Sequence, residues 1–347
     1  MRSFLFSSKN EFTIKLLLPI CLAFSQFGSS QNKTDISDFT IAFGSCNKTQ
    51  LPNLYWDDIL KIKPDVFIWG GDVVYADTDN MKKMTQFYAR QNEVPAYKKL
   101  RESIPIMGTW DDHDYGLNDG GAEYTKKDES QQLFLDFLNV SKSDPRRTRE
   151  GIYYAKTFTV DTVSVKVIML DTRYFRSALT PATEKGKRYK PNDYGEGTML
   201  GDAQWDWLQD ELTGGADYNV IMSSIQFLSA EHGFETWGNF PHEVDRFIKL
   251  LQETKANNVI VLSGDRHISE FSKKEINGLN YPLIDFTGSG LTHSYTAYSG
   301  EPNKYRVGEV VSLTSFETLD FDFMNATVTF KIRGDDGKVL QELKQVY

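Results

Sequence analysis

Short apolar runs that end in a polar, glycine-bearing cluster recur along the chain. Residues 40–43 run into Gly44-Ser45-Cys46-Asn47, residues 65–69 into Gly70-Gly71-Asp72, and residues 104–107 into Gly108-Thr109-Trp110-Asp111-Asp112-His113-Asp114. Residues 165–170 lead to Asp171-Thr172-Arg173, 220–225 to Gln226, 259–262 to Ser263-Gly264-Asp265-Arg266-His267, and 282–286 to Thr287-Gly288-Ser289-Gly290. Runs of this kind, rich in valine and isoleucine and closed by glycine, predict strands buried on both faces. Helical spacing predicts helices over 54–62, 86–101, 130–138, 202–212 and 243–255. Strand and helix alternate, so the class is α/β. In such folds the loops at the carboxyl ends of strands converge on the ligand site, and the reactive residues of this chain cluster at those ends.

The tail has another rhythm. Residues 310–316, 318–323, 326–332 and 339–346 alternate in the β manner, and Gly334-Asp335-Asp336-Gly337 suits a hairpin turn. This predicts a meander over 310–347 that completes a sheet. Two polar stretches, 175–198 and 287–309, are candidate rims of a site.

Composition narrows the function. The 347 residues carry 39 Lys plus Arg against 48 Asp plus Glu, a formal charge of −9. That balance argues against a dedicated nucleic-acid partner and against general attraction to anionic lipid. An acidic protein that handles anions needs locally concentrated positive charge or bound metal. Arg2, Lys9 and Lys15 precede an apolar run at 16–24, and Gly28, Ser29 and Ser30 follow, so residues 1–30 read as a signal peptide. The run is too short to span a bilayer, and no later segment is a transmembrane candidate. Lipidation at Cys21 is a second reading, against which stand Pro19 and Ile20. The expected product is an exported protein (periplasmic, cell-surface or secreted) with one domain over 31–347. Its oligomeric state is not legible. After cleavage Cys46 is the lone cysteine, a liability in an oxidising compartment unless buried or metal-bound.

Four clusters carry candidate chemistry, and each alone has a plain structural alternative. Asp72, after two glycines, is an exposed ligand on a tight turn or an ordinary turn former. Asp111, Asp112 and Asp114 around His113 repel one another unless a cation offsets them, or form a solvated acidic turn. Asp265 and His267, two apart in an extended loop, point the same way and suit neighbouring cations or a hydrogen-bonded pair. Cys46 is an inert buried thiol or a soft ligand that favours zinc or iron over magnesium or calcium. Together they outweigh the alternatives, because a Cys, Asp, Asp, His set at strand ends needs only neighbouring strands to converge. No Gly-x-Ser-x-Gly elbow, phosphate loop or His-Glu-x-x-His helix competes.

At these residues the chain resembles the alkaline phosphatase D (PhoD-like) family of calcineurin-like metallophosphoesterases. The motif order is Gly-Ser-Cys, Gly-Asp-x-x-Tyr, Trp-Asp-Asp-His-Asp, Asp-Thr-Arg and Gly-Asp-x-His, with Leu200-Gly201-Asp202-Ala203-Gln204-Trp205-Asp206-Trp207-Leu208 similar to the linking helix, from about residue 40 to 290. The resemblance implies a four-layer α/β/β/α sandwich with two mixed central sheets. It implies two or more metal ions bridged by Asp72. Cys46, Tyr75 and His267 would complete a ferric site, and Asp265 with Asp112 or Asn118 a calcium site, with zinc or manganese as other options. It further implies His113 as catalytic acid or partner of a substrate oxygen, Arg173 as phosphate clamp, and a role for Gln226 toward metal or water. Larger members carry an N-terminal β-sandwich, for which this sequence leaves no room between the expected cleavage point and the first strand.

The expected reaction is attack of a metal-activated water on a phosphate mono- or diester, assisted by Arg173, Arg266 and His113. Lys185, Lys187, Arg188 and Lys190 form a basic stretch that attracts anions or is simply solvated, and Trp237 and Tyr194 pack on a leaving group or elsewhere. Alternative functions are a phosphodiesterase or phospholipase for lipid or cell-wall polymer, a non-catalytic phosphate- or metal-binding protein, and a hydrolase of non-phosphate esters.

Overall fold

The computed structural model describes residues 37–347; the signal peptide expected over 1–30 lies outside the described residues. The elements in chain order begin with β1 (Phe39–Gly44), α1 (Trp56–Ile62), β2 (Val66–Gly70), α2 (Met81–Asn92), α3 (Pro95–Ser103) and β3 (Ile106–Thr109). Then come α4 (Asp112–Tyr115), α5 (Lys127–Phe137), β4 (Tyr154–Val160), β5 (Val163–Met169) and the two-residue strands β6 (Thr180–Pro181) and β7 (Tyr189–Lys190). They are followed by α6 (Gly201–Thr213), β8 (Tyr218–Met222), α7 (Pro241–Thr254), β9 (Val259–Ser263), β10 (Ser269–Lys274), β11 (Leu283–Gly288), β12 (Arg306–Val311), β13 (Phe316–Asp322), β14 (Thr327–Arg333) and β15 (Val339–Val346).

Two mixed sheets form the centre. One has the order β15-β14-β13-β1-β2-β3 and the other β12-β10-β11-β9-β8-β5-β4. β1, β2 and β3 run parallel, as do β5, β8, β9 and β11. Alternation along each strand builds the layers. Ile41, Phe43, Val66 and Ile68 meet Val167, Val220, Ile260 and Leu262 between the sheets. Ala42, Phe67 and Trp69 face outward onto Trp56, Tyr97 and Phe134 of α1, α3 and α5. Ile168, Ile221 and Val261 face the other way, onto Trp205, Leu208, Phe247 and Leu251 of α6 and α7. Both faces of each parallel segment are therefore covered, which is why these strands read as continuous apolar runs. The result is the α/β/β/α sandwich.

Three local readings change. The helix expected over 86–101 is two helices, because Pro95 has no N–H to continue the first and holds Val94 extended (φ −60°, ψ 116°). The run 310–316 is not one strand of a single meander. β12 pairs with β10 in the second sheet, while β13, β14 and β15 extend the first from β1. The strand expected over 220–225 ends at Met222, leaving Gln226 in the following loop. Between β14 and β15 the turn carries Asp336 at φ 56°, which an Asp tolerates. Among the described residues no helix is long and apolar enough to cross a membrane.

Candidate metal centre

The loops after β1, β2, β3 and β9 meet at one edge of the sandwich. Cys46, Asp72, Asp265 and His267 all take left-handed backbone angles, with φ of 60°, 50°, 66° and 55°. Such angles are costly for residues with a Cβ and persist where the surroundings impose them, commonly at functional sites. The glycines make the approach possible: a Cβ on Gly71 would come within 2.6 Å of the Asp111 Cβ, and one on Gly264 within 2.7 Å of the Gly70 carbonyl.

The convergence is close. Cys46 Sγ lies 3.5 Å from Asp72 Oδ2. Tyr75 Oη lies 2.9 Å from His267 Nε2. The backbone N–H of His113 donates to Asp72 Oδ1 at 3.3 Å. His113 Nδ1 is 2.7 Å from Asp77 Oδ1, and its Nε2 is 3.9 Å from Asp112 Oδ1. Cys46 with Asp72 and His267, Asp72 with Asp112 and His113, and Asp111 with Asp112 and Asp265 form three groups whose donor atoms lie within 4.8 Å of one another. Asp72 and Asp112 each belong to two groups, so the donors make one chain. Asn118 lines the cavity above them with Asp112, His113, Asp265 and His267, and that cavity measures about 370 Å³.

The electrostatics of Cys46, Asp72 and Asp265 fit missing positive charge, whereas at Asp112 the opposing cost of burial is outweighed by Arg173 and His113, which lower its pKa. Burial pushes the Cys46 thiol up to about 11 and Asp265 up to about 7. Burial, then Cys46 and Asp112, hold Asp72 well above the carboxylate range. Buried carboxylates without a counter-charge keep their protons. Asp112 Oδ1 and Asp111 Oδ2 are buried with no hydrogen-bond partner. These orphaned oxygens, the soft sulfur and the imidazole suit a pair of cations. Burial alone would keep His113 neutral, but Asp72, Asp77 and Asp112 raise its pKa to about 10.

Several expected residues lie outside the cavity lining. Arg173 is fully buried, with Nε donating to Asp111 at 2.6 Å and Nη1 to Glu235 at 2.6 Å. Arg173 is absent from the residues that line the cavity, and it joins Asp111 to Glu235, which does line it. Asp171 explains the rest of that motif: it accepts from Trp110 Nε1 at 2.8 Å and from the backbone N–H of Ile152, Arg173 and Tyr174. Gln226 is also buried, its amide donating to Glu270 and Thr287, and is absent from the cavity lining. Asp114 accepts from the Val73 and Asp111 backbones and is a capping group. Trp237 is core, and Tyr194 is 70% exposed and bonded to Asp245.

The cavity also takes in Arg188, Phe234, Glu235 and Arg266. Arg266 is held by Glu301 at 2.8 and 2.9 Å, and its Nε is buried without a partner. His293 was not anticipated; its ring lies 4.5 Å from that of His267 and 5.1 Å from Tyr75. It follows a strand end by five residues, which is a usable signal. Phe234 and Glu235 sit in a loop with no motif to mark them.

Known proteins share this fold. The PhoD-like phosphatase family model matches residues 41–299. Alkaline phosphatase D of Bacillus subtilis (strain 168) is 24% identical over 288 residues, which is 70% of this chain and 48% of that protein. The chain thus spans about half the length of that curated relative. The solved structure of PhoD superposes with a TM-score of 0.67 at 18% identity, covering 89% of this chain and 68% of the other. A dimetal phosphatase from Danio rerio gives 0.50 at 13% identity, covering 90% and 100%. GAP50, the anchor in the inner membrane complex of Plasmodium, gives 0.53 at 14% identity, covering 89% and 88%. The structural likenesses show a shared fold.

Proposed function

The chain belongs to the PhoD-like phosphatase family, and from that premise we propose that it is an exported, metal-dependent phosphoesterase acting on phosphate mono- or diesters. The observation that carries the proposal is the continuous donor set in which Asp72 and Asp112 are shared between neighbouring groups. Cys46, Tyr75, His267 and Asp72 would hold one ion, for which sulfur and phenol suggest ferric iron. Asp72, Asp112, Asp265 and Asn118 would hold a second, of calcium type by its oxygen donors, with zinc or manganese compatible. When bound, such ions supply a water acidic enough to attack phosphorus near neutral pH and neutralise phosphoryl oxygens.

The chain's own residues do the rest. Asp77 fixes Nδ1 of His113, which leaves Nε2 toward the carboxylates and the cavity. From there His113 would give a proton to the departing alcohol oxygen. Arg266 lines the cavity and would offset charge that develops on the phosphoryl oxygens. Residues 31–347 would form the single catalytic domain. The test is metal analysis of the purified protein with paired assays on p-nitrophenyl phosphate and bis-p-nitrophenyl phosphate. Turnover of neither, with metal bound, would reject the proposal; turnover of the diester alone would assign it as a phosphodiesterase.

A further inference from the structure

Beside the metal-site cavity lies a second cleft of about 400 Å³, between the 182–191 stretch and the loop at 230–239. Phe234 lines both and is their common wall. The wall is held in place. The Arg266 guanidinium stacks over the Phe234 ring at 4.3 Å and is itself pinned by Glu301. The Phe234 backbone N–H donates to Nδ1 of the buried His232 at 3.1 Å, which fixes the loop that carries the ring. A half-buried aromatic face fixed between two openings is a stacking platform, not loose surface.

The charge of the cleft follows from its pairs. Glu184 is paired with Lys187 at 3.0 Å, and Glu231 with Lys304 at 3.5 Å. Both acidic residues of the lining are therefore offset. Lys190 lines the same cleft and has no ion-pair or hydrogen-bond partner for its ammonium among the described residues. The uncompensated charge is one cation, placed beyond an aromatic wall that begins at the metal centre.

We propose that this cleft receives the alcohol portion of the phosphoester, and that Phe234 and Lys190 select one with a flat face and a second negative charge. The inference rests on the phosphoesterase reading above, whose cavity would hold the phosphoryl group. It gives the acidic chain a local attraction for a dianionic or trianionic substrate where the overall charge offers none.

The test compares phenyl phosphate with 4-carboxyphenyl phosphate in the metal-loaded full chain, and repeats both with Lys190→Glu. Lys190 is exposed, so folding is not at issue. Dividing the variant's preference by that of the unaltered protein cancels the chemical difference between the leaving groups. The preference for the carboxylated ester should fall at least about threefold, through KM and not kcat, as expected for reversing one exposed charge. Phe234→Ala should raise KM for both aryl esters. An unchanged preference in Lys190→Glu overturns the assignment. If neither ester is hydrolysed the phosphoesterase reading fails separately, and calorimetric titration with phenylphosphonate and 4-carboxyphenylphosphonate decides the cleft: a carboxylate preference lost in Lys190→Glu supports it, and equal binding of the two in the unaltered protein rejects it.

Discussion

Tyr75 Oη and His267 Nε2 stand 2.9 Å apart at the ends of loops that leave different sheets. The pair, with Cys46 Sγ 3.5 Å from Asp72, assembles phenol, imidazole, sulfur and carboxylate around one point. If that point takes ferric iron, phenolate coordination gives a visible charge-transfer band. The iron-loaded protein is expected to be coloured, and Tyr75→Phe to lose the band while retaining the fold by circular dichroism. A colourless, iron-replete protein would remove Tyr75 from the ligand set.

Arg173 joins Asp111 and Glu235 in a buried network, and Arg176 adds a bond to Glu235 at 2.8 Å. Removing one partner strands buried charge. Arg173→Ala should therefore destabilise the protein by about 3–5 kcal/mol, and Arg173→Lys should recover little because a single ammonium cannot span both carboxylates. Denaturant unfolding measures this. A normal unfolding midpoint with a raised KM would restore Arg173 as a substrate clamp.

What could be read from residue order, and what could not, divides along physical lines. The strands at 40–43, 65–69 and 259–262 were legible because burial on both faces writes itself as an unbroken apolar run. Their polar ends were legible because parallel strands must deliver their loops to one edge, so Cys46, Asp72, Asp265 and His267 meet there. Arg173 was not legible in its role, since a planar fork suits phosphate and carboxylate alike and only the fold shows Asp111 and Glu235 facing it. The break at Pro95 follows from its missing N–H, which the amphipathic spacing around it obscures. Phe234 becomes a wall only through Arg266 and His232, neither of which is its partner by sequence pattern.

Metal removal should destabilise the protein in a pH-dependent way. Without cations, burial holds Asp265 at about 7 and Asp72 well above its ordinary range. Groups whose folded pKa is raised bind protons more tightly when folded, so their contribution is full in acid and is lost as pH rises toward and past 7. Chelator treatment should lower the melting temperature more at pH 8 than at pH 5. Equal losses at both values would contradict buried, cation-dependent carboxylates.

A second pH effect arises at Glu317 in β13. Burial raises Glu317 from its ordinary 4.5 to about 8, despite bonds from Ser269 and Ser315. Stability should be greatest below about 4.5 with respect to this group and decline as pH climbs to 8, at up to about 1.4 kcal/mol per pH unit. Glu317→Gln mimics the protonated acid and should flatten that decline, so its advantage over the unaltered protein grows between pH 5 and 8 in chemical unfolding. A constant difference across that range would show that the carboxyl is ionised in the folded state.

The most direct test of the shared-carboxylate centre is metal content measured by elemental analysis, with phosphoesterase activity, in the unaltered protein and in Asp72→Ala. The predicted result is a stoichiometry of two or more ions per unaltered chain, with both metal content and turnover lost in the variant. Undiminished metal content and full activity in Asp72→Ala would contradict the account.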